Sequence, residues 1–384
     1  MPTAIVKPTH DCNLACKYCY VPENAEQGTM DDKALANTIE KFTLFNGKER
    51  HDGNKIESHF IWHGGEPLLM GLPFFQKVVE IEKPLRDAGY CITNGIQSNG
   101  TLINEDFLDF LEEQNDFNVG LSLDGPQEMH DAIRPYNDGS GSFKDVYRTV
   151  KLFQKRNEKL KKEGKKIYLG GGVICILNRL NIDRIEELYK FFHEENISVK
   201  VNPLIKSGRA VPIYKDISIN PKEFGEAMIK LFEIWFYDHK QRIDIDPFDL
   251  LMGNIMTKVP HGCQYGESCQ NHFISIGPTG AVYPCGRFDG TPEFYLGNIN
   301  EQSIEEINKH PVKEQFKKRS YETVKGCEPC EYKDICNSGC AHNAYMIRGN
   351  IMDRDYYCAG EKMLFKHIED ALHKELKKAE VVEV

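Results

Sequence analysis

The distribution of cysteines limits what this 384-residue chain can fold around. Of its 13 cysteines, Cys12, Cys16 and Cys19 share one short segment, and a second group comprises Cys263, Cys269, Cys285, Cys327, Cys330, Cys336, Cys340 and Cys358. Cys91 and Cys175 stand alone among apolar neighbours and read as buried structural thiols. Residues Met1–His10 lack the zones of a secretory signal, and no run of about 18 apolar residues occurs. With close C-x2-C and C-x3-C spacings, the expectation is metal thiolates in a reducing compartment, the cytoplasm, rather than disulfides.

The hydrophobic fraction of 40% over this length supports one barrel-sized domain and a smaller one. From Pro2 to Leu204, short runs rich in β-branched and aromatic residues alternate with amphipathic stretches, a βαβ pattern. Candidate strands are His59–His63, Ile92–Ser98, Val119–Asp124, Ile167–Ile176 and Val199–Leu204. Thr29 with Asp32 reads as the N-cap of a helix carrying Leu35, Ile39 and Phe42, and Asn220-Pro221 opens another. After His239 the alternation gives way to Cys, Gly and Pro, so the expected division is 1–239 and 240–384, the second unit folding around metal. A helix is expected from Tyr357 to Lys378.

A formal net charge of −10 argues against a nucleic-acid-binding face. The basic run Lys155, Arg156, Lys159, Lys161, Lys162, Lys165 and Lys166 reads as a solvated helix end and loop.

The spacing C-x3-C-x2-C at Cys12, Cys16 and Cys19 offers three thiolates, which leave one iron of a four-iron cluster open. A structural zinc ion would need a fourth ligand nearby. Downstream come His63-Gly64-Gly65-Glu66-Pro67, QSNGTL from Gln97, LSLDGP from Leu121 and HDAIRP from His130, all at strand ends or the loops after them. Together these motifs resemble the radical S-adenosylmethionine (SAM) superfamily. The resemblance implies a partial (β/α)6 barrel of TIM type and an open iron that binds the amino and carboxylate groups of SAM. Cleavage of SAM then yields a 5′-deoxyadenosyl radical that takes hydrogen from substrate. It further implies that Tyr18 lies against the adenine, that Gly64, Gly65 and Glu66 serve the SAM amino group, and that Ser122 and Arg134 contact SAM. Asn99, Asp124 and Leu204 are weaker candidates for lining the SAM or substrate cavity.

The second cysteine group reads Cys263-x5-Cys269, Gly280-x4-Cys285, Cys327-x2-Cys330-x5-Cys336-x3-Cys340 and Cys358. Eight thiols can fully ligate two 4Fe-4S clusters, although a pair of zinc sites is also chemically open to them. This pattern resembles the SPASM domain. The resemblance assigns Cys263, Cys269, Cys285 and Cys340 to one auxiliary cluster and Cys327, Cys330, Cys336 and Cys358 to the other, three clusters in all. Fully ligated clusters are expected to carry electrons rather than bind substrate.

Enzymes similar in both halves modify peptides or proteins, and two reactions compete. A sulfatase-maturing enzyme, which converts Cys or Ser to formylglycine, is expected to carry an Asp base directly after the cysteine of YPC, where this chain has Gly286. Asp289, four residues after Cys285, is the candidate substitute base. The segments YPCGRF, SGCAHNAY and DYYCAGEK look more like members that crosslink a ribosomally made peptide through carbon–carbon or thioether bonds, and this is the favoured expectation. A non-catalytic iron–sulfur electron-transfer protein is the alternative of another class, but it would not need the GGEP and arginine positions. Expected partners are a precursor peptide or protein and a small electron donor such as flavodoxin or ferredoxin, with neither nucleic acid nor membrane. With eleven residues before Cys12, substrate recognition is expected to use the enzyme's own surface or a partner protein.

Overall fold

Side chains that alternate between two environments along β-branched and aromatic runs build the sheet. In Glu57–Trp62, Ser58, Phe60 and Trp62 are buried while the residues between them are partly exposed. The computed structural model describes residues 2–22, 25–49, 53–266 and 272–382. Its strands are β1 (Thr3–Val6), β2 (Glu57–Trp62), β3 (Cys91–Ser98), β4 (Phe117–Ser122), β5 (Gly170–Leu177), β6 (Val199–Pro203), β7 (Ile245–Asp246), β8 (Phe273–Ile276), β9 (Ala281–Tyr283) and β10 (Gly297–Asn298). They form one ten-stranded sheet in the order β10-β9-β8-β1-β2-β3-β4-β5-β6-β7. Pairing is parallel from β8 through β1 to β7, and β8, β9 and β10 pair antiparallel.

The first six strands alternate with helices, giving the α/β partial barrel, and the cysteine-rich part follows it in the chain. Strands β8 to β10 lie beyond residue 240 yet continue the same sheet through the β1–β8 pairing, with Thr3 opposite Phe273 and Val6 opposite Ile276. That pairing carries the turn after Cys285 to the C-terminal end of β1.

Helix starts follow local chemistry. Asn220 and Glu223 form a reciprocal capping box with Pro221 in the first turn of helix Pro221–Phe236. The helix Asp32–Asn46 is capped by Asp31, whose carboxylate accepts from the Ala34 N–H, rather than by Thr29. Thr29 instead forms a β-bridge with Thr9, which removes it from reach. The expected strand at Ile167 starts three residues later, at Gly170.

An aromatic ladder fills the space between sheet and helices: Phe60 stacks on Trp62, and Phe75 meets Trp62, Phe107 and Phe117 edge to face. The last helix, Cys358–Val382, crosses Pro221–Phe236 at a pair of glycines. A Cβ on Gly360 would lie 2.1 Å from Pro221 O, and one on Gly225 would lie 2.7 Å from Gly360 Cα. The contact fixes the backbone two residues from Cys358 against the barrel. Among the described residues no helix is long and apolar enough to cross a membrane.

Candidate functional site

Lys7–Asp11 leaves β1 and runs across the end of β2, held by Gly65 N–H to Thr9 O (3.0 Å) and Glu66 N–H to Asp11 O (2.8 Å). Only glycine fits below it: a Cβ on Gly64 would lie 2.2 Å from Thr9 O, and one on Gly65 would lie 2.2 Å from Asp11 O. The loop bearing Cys12, Cys16 and Cys19 is pinned on its far side by Ala15 N–H to Pro135 O, Lys17 N–H to Ile133 O, and Arg209 N–H to Cys19 O. Gly64 and Gly65 therefore shape the cysteine loop.

The three thiols lie close enough to influence one another's charge. Burial pushes Cys16 up to about 12 and raises Cys12, opposed by the nearby Arg134. Asn99 Nδ2 donates to Cys12 Sγ at 3.7 Å and to Asn13 Oδ1 at 2.8 Å. Glu66 is fully buried and accepts from Leu68 N–H, Ser98 Oγ–H and Asn99 N–H. Its carboxylate thus ties the end of β2 to the end of β3, and burial raises it to about 7. Ser122 Oγ accepts from Gln97 Nε2 at 3.2 Å.

Arg134 Nη1 donates to Tyr18 Oη at 2.5 Å, and Tyr18 in turn donates to Asp124 Oδ2 at 2.5 Å. Asp124 Oδ1 accepts from Ile176 N–H. Burial pushes the Asp124 carboxyl up against the pull of Arg134 and Tyr18. Leu204 is buried with Ile133, Ala210 and Ile217 beside Tyr18, and its carbonyl accepts from Tyr357 Oη. Arg134 Nε is buried with no hydrogen-bond partner. A buried guanidinium with a spare donor, close enough to Cys12 and Cys16 to act on their charge, is suited to a carboxylate-bearing ligand of an iron–sulfur cluster, as SAM is.

The C-terminal thiols form two groups. Cys263, Cys285 and Cys340 feel one another's charge, and burial raises Cys285 to about 12. Cys269, placed by the sequence in that set, lies outside the described residues. Cys327, Cys330, Cys336 and Cys358 line one cavity of about 50 Å³, several times the roughly 10–15 Å³ that a single water requires. Four thiols around one space suit a multi-iron cluster. Among the described residues, no three His, Cys, Asp or Glu side chains come together as a site for a single metal ion. Glu361, also on the cavity wall, accepts from Tyr265 Oη and is raised to about 8 by burial.

Between the two ends of the chain lies a polar cluster around Asp289, the candidate base, whose partners Lys7 and His10 motif reading missed. Lys7 Nζ is 3.5 Å from Asp289 Oδ2 and donates to Gly286 O at 2.9 Å. Both side chains are essentially unexposed, at 0% and 1%. His10 Nε2 lies 3.2 Å from Asp289 Oδ1, and Ser275 Oγ donates to Asp289 Oδ2 at 3.0 Å. Burial alone would raise the Asp289 carboxyl, but Lys7 and His10 more than offset it and hold it below its ordinary value. Burial works against the Lys7 charge too, and Asp289 reverses that effect.

The Lys7 ammonium also sits 4.9 Å from the centre of the Tyr20 ring, whose edge meets His63. His63 is lowered to about 4, first by burial and then by Lys7, and its Nδ1 has no hydrogen-bond partner. The signal for Lys7 was a charge ending the apolar run Thr3–Val6, at the end of a parallel strand where active-site groups gather.

A family profile described as Radical SAM superfamily matches residues 6–192, and a second, SPASM, described as an iron–sulfur cluster-binding domain, matches 263–331. A cysteine-type anaerobic sulfatase-maturating enzyme of Clostridium perfringens is 28% identical over 381 residues, covering 94% of this chain and 95% of that protein. A serine-type anaerobic sulfatase-maturating enzyme of Bacteroides thetaiotaomicron is 29% identical, covering 97% and 91%. The solved structure of native anSMEcpe with bound AdoMet and Cp18Cys peptide superposes with a TM-score of 0.82 at 25% identity, covering 98% of this chain and 99% of that one.

These relatives overturn the expectation of an intramolecular crosslink in a ribosomally made peptide, because similarity over nearly the whole chain is to sulfatase-maturating enzymes. The segments that suggested crosslinking, YPCGRF, SGCAHNAY and DYYCAGEK, each contain a cysteine of the two C-terminal groups. Their residues answer to thiol placement and turn geometry, so they carry little information about product.

Proposed function

The chain joins a radical SAM domain to a SPASM domain, and on that premise we propose that it matures a sulfatase, the task its relatives' names give for them, by oxidising a Cys or Ser side chain of that protein to formylglycine. The observation that carries the reading is Lys7. Its ammonium binds Gly286 O, at the position where this group is expected to hold its base, and pairs with Asp289.

In this reading Cys12, Cys16 and Cys19 hold the first cluster. Arg134, with Tyr18, Gly64, Gly65, Glu66, Asn99, Ser122, Asp124 and Leu204, forms the SAM pocket. Cys263, Cys269, Cys285 and Cys340 hold a second cluster, and Cys327, Cys330, Cys336 and Cys358 a third. SAM and the reduced first cluster, when bound, supply a radical that removes one hydrogen atom from the substrate Cβ. Asp289, kept ionised by Lys7, takes the proton from substrate Oγ or Sγ. The cluster that Cys285 would help to hold would supply the acceptor for one electron, so that the deprotonated substrate radical closes to a double bond between Cβ and the heteroatom. Serine yields the aldehyde directly, whereas cysteine yields a thioaldehyde that water converts to the aldehyde with release of hydrogen sulfide. The proposed setting is the cytoplasm, with flavodoxin or ferredoxin as electron donor.

The test is anaerobic incubation of the reconstituted enzyme with peptides copied from a sulfatase active-site loop, in Cys and Ser versions, read by mass spectrometry and hydrazide capture. Aldehyde formation dependent on Cys16 supports the reading. SAM cleavage with neither peptide altered refutes it.

A further inference from the structure

Arg287 follows Cys285 by two residues on the turn that leads to Asp289, and its guanidinium faces the first C-terminal thiol group. Nη1 donates to Cys340 Sγ at 3.8 Å and to Asn343 Oδ1 at 3.4 Å. The side chain is partly buried, and both contacts hold it on the thiol side of the turn. Asn343 Nδ2 is itself bound to the Asp355 carboxylate, which also accepts from Cys340 N–H, so both the arginine and the thiol it meets are anchored to one network.

A partly buried cation and an N–H donor at a ligating sulfur both favour the more negative, reduced state of an iron–sulfur cluster. Asp355 lies between the two C-terminal groups, accepting from Cys340 N–H on one side and lining the cavity of Cys327, Cys330, Cys336 and Cys358 on the other, where Glu361 and Arg354 also line the wall. We propose that Arg287 raises the reduction potential of the cluster held by Cys263, Cys285 and Cys340, making it the acceptor of the electron lost by the substrate radical. The acceptor role rests on the proposed function; the tuning does not.

The consequence is a single turn with two exits. Cys285 and Arg287 draw the electron, and Asp289, two residues on, draws the proton. The substrate radical is oxidised by one electron, the cluster is reduced by one, and the carboxylate gains the proton, so the step balances without another reagent.

The test is an EPR-monitored redox titration, without substrate, of the full chain reconstituted anaerobically. Cys12, Cys16 and Cys19 are replaced by Ala to leave the C-terminal clusters alone. Arg287→Gln is expected to shift one midpoint to lower potential and leave the other in place, with iron content unchanged. Arg287→Lys should shift it less. Unchanged midpoints in Arg287→Gln at full iron overturn the proposal. If Arg287→Gln loses iron, Arg287→Met, which also removes the charge but keeps the bulk, decides: a lowered midpoint supports tuning, and a wild-type midpoint overturns it. Because no substrate is present, failure of sulfatase maturation leaves this readout untouched.

Discussion

Lys7 and Asp289 meet at 3.5 Å in the interior, although one directly follows the first strand and the other lies in the cysteine-rich part. Removing one partner of such a pair strands a buried charge, a loss of about 3–5 kcal/mol. Lys7→Met alone is therefore expected to destabilise by that amount, and Lys7→Met with Asp289→Leu by less than the sum of the singles, measured by denaturant unfolding. Additive losses would show that the pair is not coupled. Asp289→Asn should retain SAM cleavage and lose aldehyde formation; full turnover in that variant would remove Asp289 from the mechanism.

The pair also sets a pH dependence. Asp289 is held below its ordinary value, so its contribution is present above that value and is lost as pH falls through the native one. Lys7 is raised, so its contribution is complete below its ordinary value and is lost as pH climbs through the native one. Asp289→Asn should flatten the acid limb of a stability–pH curve.

Glu66 behaves in the opposite sense. Raised from 4.5 to about 7, it holds a proton in the native state that the unfolded chain releases in that window. Stability of the metal-free chain should fall as pH rises between those values, by on the order of 3 kcal/mol. Glu66→Gln should abolish this slope in urea melts collected across the range; an unchanged slope would assign it to other groups.

Gly65→Ala places a Cβ against Asp11 O and His10 O, backbone atoms that cannot yield without moving the cysteine loop. The expected result is loss of the first cluster's iron with the C-terminal iron retained, matching Cys16→Ala in iron assay and EPR. Normal iron in Gly65→Ala would show that the loop tolerates the displacement.

Arg134→Lys keeps a charge but loses the planar fork and the spare Nε donor. SAM affinity should weaken by about 10–100-fold, the worth of one charge-assisted hydrogen bond, with cluster content unchanged by iron assay. Equilibrium dialysis against SAM reads the outcome, and wild-type affinity would exclude Arg134 from the pocket.

Local chemistry was legible in the sequence. Thiol spacing at Cys12, Cys16 and Cys19, the glycines at 64 and 65, period-two alternation in β2 and the Asn220 capping box each depend on residues a few positions apart. Even so, Asp31 rather than Thr29 caps its helix, because Thr29 is drawn into a bridge with Thr9. The product was misread because the segments used for it serve thiol placement, which is common to enzymes of different reactions.

What the sequence by itself determined is the alternation of strands and helices in the first half and the grouping of the cysteines, since spacing along one segment controls both. Only the tertiary structure decided which distant groups share an environment. Pairing of β1 with β8 sets the Cys285 turn against Lys7, and the turn then aims Arg287 at Cys340 and Asp289 at Lys7 and His10. Burial and charge at these positions arise from strands brought together across the whole chain, a relation that no local spacing encodes.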